Sequence, residues 1–305
     1  MDQINKQFQK LKQAFRGKIL LQEPLARHTT FRIGGPADYY VYPRDLEDLS
    51  AMIDLCQRED MSRFIIGNGS NLLVSDQGYH GVVIDLSDTF SHIRSKGDLV
   101  TVGSGAQLFE LLKFCIERGL SGIEALTGIP GQVGGAIWLN AGAFGSEMCD
   151  HIFSVRLLDR CGTLEKRRKE EFNAGYRQTD LPSDAIVVEA QFLLREGNPK
   201  EMEALQRAYL QERKAKQPLS LPSAGSVFKR PQGDFAGRLI EEVGCKGLRV
   251  GDAMVSKKHA NFIVNCHFAS ASDVLRLIAE VRERVFKRFD VELKLEIHLV
   301  GFANG

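Results

Sequence analysis

Two glycine-dense stretches have residue types that could bind a ligand through their backbone. In GNGSNLLVS, Gly67 and Gly69 flank Asn68 directly after an apolar run, and Ser70 and Asn71 follow. Glycine lets successive backbone N–H groups turn inward, and such a nest can cradle a diphosphate. The stretch is not the dinucleotide fingerprint GxGxxG, because Leu72 stands at the third glycine position, and an ordinary tight turn is the alternative. TGIPGQVGGA places Gly128, Gly131, Gly134 and Gly135 within eight residues. That density costs folding entropy. It points to close approach of backbone to a flat ligand, or to a tight loop packed under another strand.

The elements that must position these loops follow from length and pattern. At 305 residues the chain is long enough for about two domains, each with its own core. Hydrophobic residues make up 43% and charged residues 26%, a soluble globular composition, and no apolar run approaches a membrane span. The opening MDQINKQFQKLKQAF is polar rather than signal-like, so a cytoplasmic protein is expected. A net charge of +1 does not suit a protein that coats nucleic acid or anionic lipid. Charge is nonetheless uneven: residues 196–305 carry 18 Lys+Arg against 14 Asp+Glu, leaving 22 against 25 before them. An anionic small molecule held by the C-terminal part and solvated helix faces both account for this. The six cysteines show neither CxxC nor zinc-ligand spacing, and HExxH, GxxxxGK[ST] and GxSxG are absent, so metal, P-loop and hydrolase-elbow chemistries lack support.

Along the chain, Ile4, Phe8, Leu11 and Phe15 predict an amphipathic helix over 3–16, ending near Gly17. A strand at 36–43, a helix at 45–60 and a strand–glycine loop–strand at 63–75 read as one βαβ-like unit. Strands at 82–87 and 99–106 with a helix at 108–120 read as a second. Residues 152–194 return to antiparallel strands, their connections being too short for helical crossovers. A helix at 199–216 precedes a junction marked by Pro218 and Pro222. After it come a loop, a helix, the strand FIVN, a helix from about Ser272 to Phe289 opened by SASD, and a final strand KLEIHLVG.

HTTFRIGGPADYYVYP (28–43), IIGNGSNLLVSDQG (65–78), ALTGIPGQVGGAIWLNAGAFG (125–145), AGYRQTDL (174–181), PSAGSVFKRP (222–231) and LEIHLVG (295–301) occur in an order and at a spacing that closely resemble UDP-N-acetylenolpyruvoylglucosamine reductases, MurB. The resemblance runs from residue 28 through nearly all the rest of the chain. It implies an α+β protein: an N-terminal helix and lead-in (1–27), a two-lobed FAD-binding region of PCMH type (28–195, lobes about 28–87 and 88–195), and a smaller α/β substrate-binding domain (196–305). It also implies an NADPH-dependent flavoprotein with non-covalent FAD. Such an enzyme converts UDP-N-acetylglucosamine enolpyruvate to UDP-N-acetylmuramate in peptidoglycan precursor synthesis, and so serves cell-wall formation, shape and division. No nucleic acid and no membrane insertion belong to this reading. Within the C-terminal part, Arg213, Lys214, Lys216, Lys229 and Arg230 against the single acid Glu212 over residues 212–230 suit a substrate with a diphosphate and a carboxylate.

By the same resemblance Ser226 is the proton donor to carbon and Arg177 faces the substrate carboxylate, where a planar guanidinium makes two parallel bonds. Glu296 stabilises or tunes the enolate-like intermediate. Many relatives have proline before that glutamate; here Leu295 stands there, and Glu292 is a substitute candidate. Lys216 and Arg238 are candidate substrate-binding cations. Flavin contacts carry over to Gly67, Asn68, Gly69, Ser70, Asn71, Gly128, Ile129, Gly131, Gly134, Gly135 and Gly142. The structural alternatives are a turn serine, a strand-end arginine, a solvent-facing strand glutamate, a helix-end lysine, and core packing for Ile129. Only eight residues, 178–185, separate Arg177 from the strand at Ile186, so the chain resembles the shorter form and no substrate-clamping tyrosine is assigned after the YR motif. Competing functions are another FAD-dependent oxidase or dehydrogenase of the same superfamily and a non-catalytic nucleotide-binding protein.

Overall fold

The strand Ile186–Leu193, IVVEAQFL, is buried along almost its whole length. Such a strand needs neighbours on both edges and cover on both faces. It lies at the centre of a five-stranded antiparallel sheet in the order Leu164–Arg168, Ile152–Leu158, Ile186–Leu193, Leu99–Gly103, Ile93–Lys96. The computed structural model describes residues 2–302, with side chains from residue 7 onward. The Ile4 side chain of the expected first helix lies outside the described residues. Its partners Leu11 and Phe15 join a core with Met52, Ile53 and Ile84.

The chain divides into two compact units that interleave along the sequence. Unit 1 holds residues up to Leu21, Asp38–Gly67 and Gly81–Gln211, and unit 2 holds Gln22–Ala37, Asn68–His80 and the residues from Glu212 onward. A single cut near residue 195 does not describe this grouping, because two early segments cluster with the C-terminal part.

In unit 1, helix α1 (Asp2–Ala14) packs on α2 (Leu46–Arg58). The Asp45 carboxylate starts α2 by accepting from the Asp48 N–H at 2.8 Å, a cap that contributes about 1 kcal/mol. A four-stranded sheet in the order Lys18–Pro24, Pro36–Tyr42, Tyr79–Asp85, Arg63–Ile66 shares this core. Helices α3 (Leu108–Glu117) and α4 (Val133–Trp138) supply Leu108, Leu111, Leu112, Val133 and Ile137 to a second core beneath the five-stranded sheet. Helix α5 (Pro199–Lys216) follows.

Unit 2 is built on an antiparallel sheet of Ser223–Ser226, Phe262–Asn265, Ala253–Val255 and Arg249–Val250. Helices α6 (Ala236–Glu242) and α7 (Ala271–Phe289) share a core with it. The spacing of Val274, Leu277, Ile278, Val281 and Val285 gives α7 one apolar stripe, and Ser270 and Asp273 close a capping box at its start. The early segments are tied in by polar bonds: Asp76 accepts from the Ala271 and Ser272 N–H groups at 2.7 and 3.0 Å, and Thr30 Oγ1 donates to the Ser223 carbonyl at 2.7 Å.

Three sequence expectations need correction. The strands read at 82–87 and 99–106 are not one βαβ unit: Tyr79–Asp85 belongs to the four-stranded sheet, whereas Leu99–Gly103 pairs antiparallel in the other. The intervening Ile93–Lys96 supplies a hairpin partner that no helical crossover could. The strands around the first glycine loop likewise diverge, Arg63–Ile66 pairing parallel with Val82–Asp85, and Leu72–Val74 parallel with His298–Val300. The final strand is confined to His298–Val300, the residues Leu72–Val74 can pair.

Burial holds three histidines below the ordinary imidazole value of 6.5: His151 in unit 1, whose Nε2 meets Ser146 Oγ at 3.0 Å, His259 in unit 2, edge-on to Phe262, and His298 on the last strand, which the Lys229 charge also pushes down. As pH falls, the unfolded chain takes up these protons before the folded one. Their contribution is therefore complete above about pH 6.5 and is lost below it, until the folded value is reached. Tm should fall between about pH 7 and pH 5.5, less steeply in His151→Gln, as read by circular dichroism melts. Identical slopes would remove His151 from this account.

Candidate active site

In unit 1 the second glycine stretch is laid against the start of α3 by backbone bonds. Leu108 N–H donates to the Gly131 carbonyl at 2.9 Å, Val133 N–H to Ala106 at 2.9 Å and Gly134 N–H to Ser104 at 2.8 Å, with a bridge between Gln107 and Gln132. A β-carbon on Gly134 would stand 2.9 Å from Ser104 Cβ, so glycine is what admits this approach. Gly135 faces open space, and Gly128 adopts φ +75°. Gly67, also in unit 1, comes alongside: a β-carbon there would lie 3.3 Å from Gln132 Oε1. Ile129 is half-buried against the core.

Beside this loop, Ser104 Oγ and Thr127 Oγ1 are buried and have no hydrogen-bond partner among the described residues. A buried hydroxyl in that state costs about 1–3 kcal/mol, so such groups mark places where a ligand atom completes the structure. Neither residue was singled out by sequence. The pair of glycines around Ser104 in VGSGA was the available signal for it, and Thr127 has none beyond preceding Gly128.

Arg177 occupies the turn of a small hairpin in unit 1, Ala174–Gly175 pairing with Gln178–Thr179. Its backbone is left-handed at φ +57°, its guanidinium lies 5.0 Å from the Tyr176 ring centroid, and Nη2 donates to the Gly142 carbonyl at 3.2 Å. Left-handed backbone at a residue with a side chain is costly and collects at functional positions.

Unit 2 brings Ser226 and Glu296 onto neighbouring backbone. The pairing of Ser223–Ser226 with Phe262–Asn265 slips between Ser223 and Ser226, and Gly225 at φ +75° turns the chain there. A β-carbon on Gly225 would lie 4.0 Å from the Ser70 carbonyl. The next residue, Val227, accepts at its carbonyl from the Glu296 N–H at 2.8 Å. Asn71 then clamps the glutamate strand: its Nδ2 donates to the Glu296 carbonyl at 3.0 Å, and its own carbonyl accepts from His298 N–H at 2.9 Å. Asn261 fixes the other side, its amide bonding both the N–H and the carbonyl of Phe228 at 3.0 and 2.8 Å. Glu292 is exposed and pairs with Arg282 at 3.6 Å, away from this strand crossing. Lys216 is held by Glu212 one turn earlier at 2.6 Å, and Arg238 pairs with Asp234 and Glu242 about α6.

Fold and site define a FAD-dependent oxidoreductase: residues 37–167 match the family described as "FAD binding domain". Residues 217–300 match "UDP-N-acetylenolpyruvoylglucosamine reductase, C-terminal domain". The chain is 44% identical over 284 residues to the UDP-N-acetylenolpyruvoylglucosamine reductase of Alkaliphilus oremlandii, covering 93% of each. It is 46% identical over 286 residues to reductase 2 of Symbiobacterium thermophilum, again covering 93% of each. The crystal structure of the MurB reductase from Thermus caldophilus matches with a TM-score of 0.80 at 38% identity, over 93% of this chain and 99% of that one. The chain belongs to the UDP-N-acetylenolpyruvoylglucosamine reductase family. A likeness to Phl p 4.0202, a glucose dehydrogenase, at TM-score 0.50 and 16% identity over 64% of this chain and 44% of that one, concerns the fold alone.

FAD fits the residues present. Hydroxyls at Ser104 and Thr127 without partners among the described residues, the glycine-rich backbone of 128–135, and the open face of Gly135 meet the needs of a diphosphate and a flat ring system. Ser104→Ala and Thr127→Ala should therefore act in opposite directions on the two forms. Apoprotein Tm should hold or rise because an unsatisfied group is gone, while FAD affinity should fall by about three- to tenfold, the worth of one hydrogen bond. Flavin titration followed by fluorescence checks this, and unchanged affinity in both variants would place the hydroxyls outside the flavin site.

Proposed function

We propose that this chain reduces UDP-N-acetylglucosamine enolpyruvate to UDP-N-acetylmuramate at the expense of NADPH. The observation that carries the reading is the crossing in unit 2, where a left-handed glycine delivers Ser226 beside the strand of Glu296. The relatives that share the activity's name align over nearly the whole chain, which supports it. Residues 28–195 are assigned to the flavin region and 196–305 to the substrate domain, with segments 22–37 and 68–80 structurally allied to the latter. Gly67 to Asn71, Gly128, Ile129, Gly131, Gly134, Gly135 and Gly142 would hold FAD, joined by Ser104 and Thr127. A cytoplasmic place of action accords with six unpaired cysteines.

FAD, when bound, would supply hydride-transfer chemistry between NADPH and the substrate's outer vinyl carbon. Negative charge then develops on the carbon bearing the carboxylate. Arg177 neutralises that charge with a planar fork matched to the carboxylate oxygens, held in aim by the Gly142 carbonyl. Ser226 Oγ donates the proton to the carbon, Gly225 allowing close approach of the backbone around it. Glu296, with its backbone fixed at both the N–H and the carbonyl, orients the enolic oxygen and the groups that share its proton. Lys216 and Arg238 are the cations assigned to the substrate phosphates, once released from their carboxylate partners.

Two variants test the assignment. Arg177→Lys keeps the charge but loses the fork, and turnover should drop at least about tenfold, or roughly 1.4 kcal/mol of transition-state stabilisation. Ser226→Ala should still let NADPH bleach the flavin at close to the normal rate. Reoxidation by the enolpyruvyl substrate should slow by about 10² to 10⁴-fold for want of a proton donor. Stopped-flow absorbance separates the two half-reactions. Normal reoxidation in a folded, flavin-loaded Ser226→Ala protein would remove the serine from the chemistry.

A further inference from the structure

Asn140 is 1% exposed and left-handed at φ +42°, a conformation asparagine tolerates better than most residues. Its side chain is fully engaged within unit 1. Oδ1 accepts from the Cys149 N–H at 2.9 Å, and Nδ2 donates to Glu147 Oε2 at 2.5 Å and to the Gly175 carbonyl at 3.1 Å. Gly175 is the residue just before the Tyr176–Arg177 turn, and Glu147 is the strand partner of Gly142, whose carbonyl receives the Arg177 guanidinium. One amide thus binds both the turn that carries Arg177 and the hairpin that aims its head. The same hairpin is tipped by Phe144, left-handed at φ +51° and stacked on Tyr209 with ring centroids 4.2 Å apart. Three left-handed side-chain-bearing residues, Asn140, Phe144 and Arg177, therefore lie in one bonded network, and backbone strain of this kind gathers where placement matters.

We infer that Asn140 is a positioning residue for the enolpyruvyl-reducing step, acting through Arg177. The inference rests on the reading of Arg177 as the substrate-carboxylate ligand. The chemistry of the site demands an amide: one partner is a donor and two are acceptors, so a carboxylate of the same shape satisfies Cys149 N–H and repels Glu147 and the Gly175 carbonyl. Asn140→Asp should leave reduction of the flavin by NADPH within about twofold of normal. Reoxidation of the pre-reduced holoenzyme by enolpyruvyl-UDP-N-acetylglucosamine should slow by about ten- to a hundredfold, the scale of a small misplacement at a reacting centre. Asn140→Gly, which keeps the left-handed backbone and removes all three bonds, should do the same.

The discriminating measurement is the double-mutant cycle with Arg177→Ala. If Asn140 works through the guanidinium, Asn140→Asp should add little, less than about twofold, once Arg177 is absent. Losses that multiply independently, or normal reoxidation in both Asn140 variants while Arg177→Ala is slow, overturn the inference and leave the Arg177 reading intact. Normal reoxidation in Arg177→Ala itself overturns that reading, and the inference with it. If neither Asn140 variant accumulates as folded, flavin-loaded protein, the residue serves the fold and the inference is lost.

Discussion

Much of unit 1 depends on how closely two glycine-containing stretches of backbone can approach. Between Ser104–Gln107 and Gly131–Gly134 the chain makes a short ladder, and at its tightest point no β-carbon is accommodated. From that approach follow the start of α3, the start of α4 and the location of the Ser104 hydroxyl, which with that of Thr127 has no partner among the described residues. The folded chain thus contains buried polarity left unsatisfied among the described residues. A cofactor that fills such a place stabilises the fold it binds, so flavin loading and stability are linked quantities here.

Unit 2 solves a different problem, that of holding reactive side chains still on strands too short to be rigid alone. The three-residue strand His298–Val300 would be marginal by itself. It is held by the parallel partner Leu72–Val74, by Asn71 across the Glu296 carbonyl, and by the N–H of Glu296 on Val227. Asn261 does the equivalent for Phe228. Side-chain amides recur in this role because one amide presents donor and acceptor together, and so can match a peptide group as another peptide would.

Legibility in the sequence followed the range of the forces involved. Helices α2, α5 and α7 were readable because caps and apolar stripes are local: Asp45 before α2, SASD before α7. The long central strand was readable from its continuous apolar run. What could not be read was pairing. Nothing in LLV at 72–74 says that its partner is HLV at 298–300, and nothing in VVID distinguishes a sheet shared with Arg63–Ile66 from one shared with Leu99–Gly103. The glycine loops were visible as composition, and the motif resemblance put roles on Arg177, Ser226 and Glu296. Supporting residues were invisible for the converse reason. Asn140, Asn261, Ser104 and Thr127 are unremarkable letters whose meaning is a burial state and a hydrogen-bond count, which exist only after long-range packing.

The interleaved make-up of unit 2 also has a consequence for biosynthesis. As the chain emerges from the ribosome, Leu72–Val74 appears more than 200 residues before its partner His298–Val300. Asp76 likewise waits for the helix start at Ala271 that it caps. The last residue of unit 1, Gln211, is made well before the end. The early segments of unit 2 can already bond to one another, Gly35 N–H to the Ser75 carbonyl for example, but Leu72–Val74 lacks its parallel partner until translation is nearly finished. For that interval Leu72–Val74 presents an unsatisfied strand edge to the nascent-chain environment, and a ribosome that stalls late leaves it open. Such an edge is a ready template for pairing with another chain.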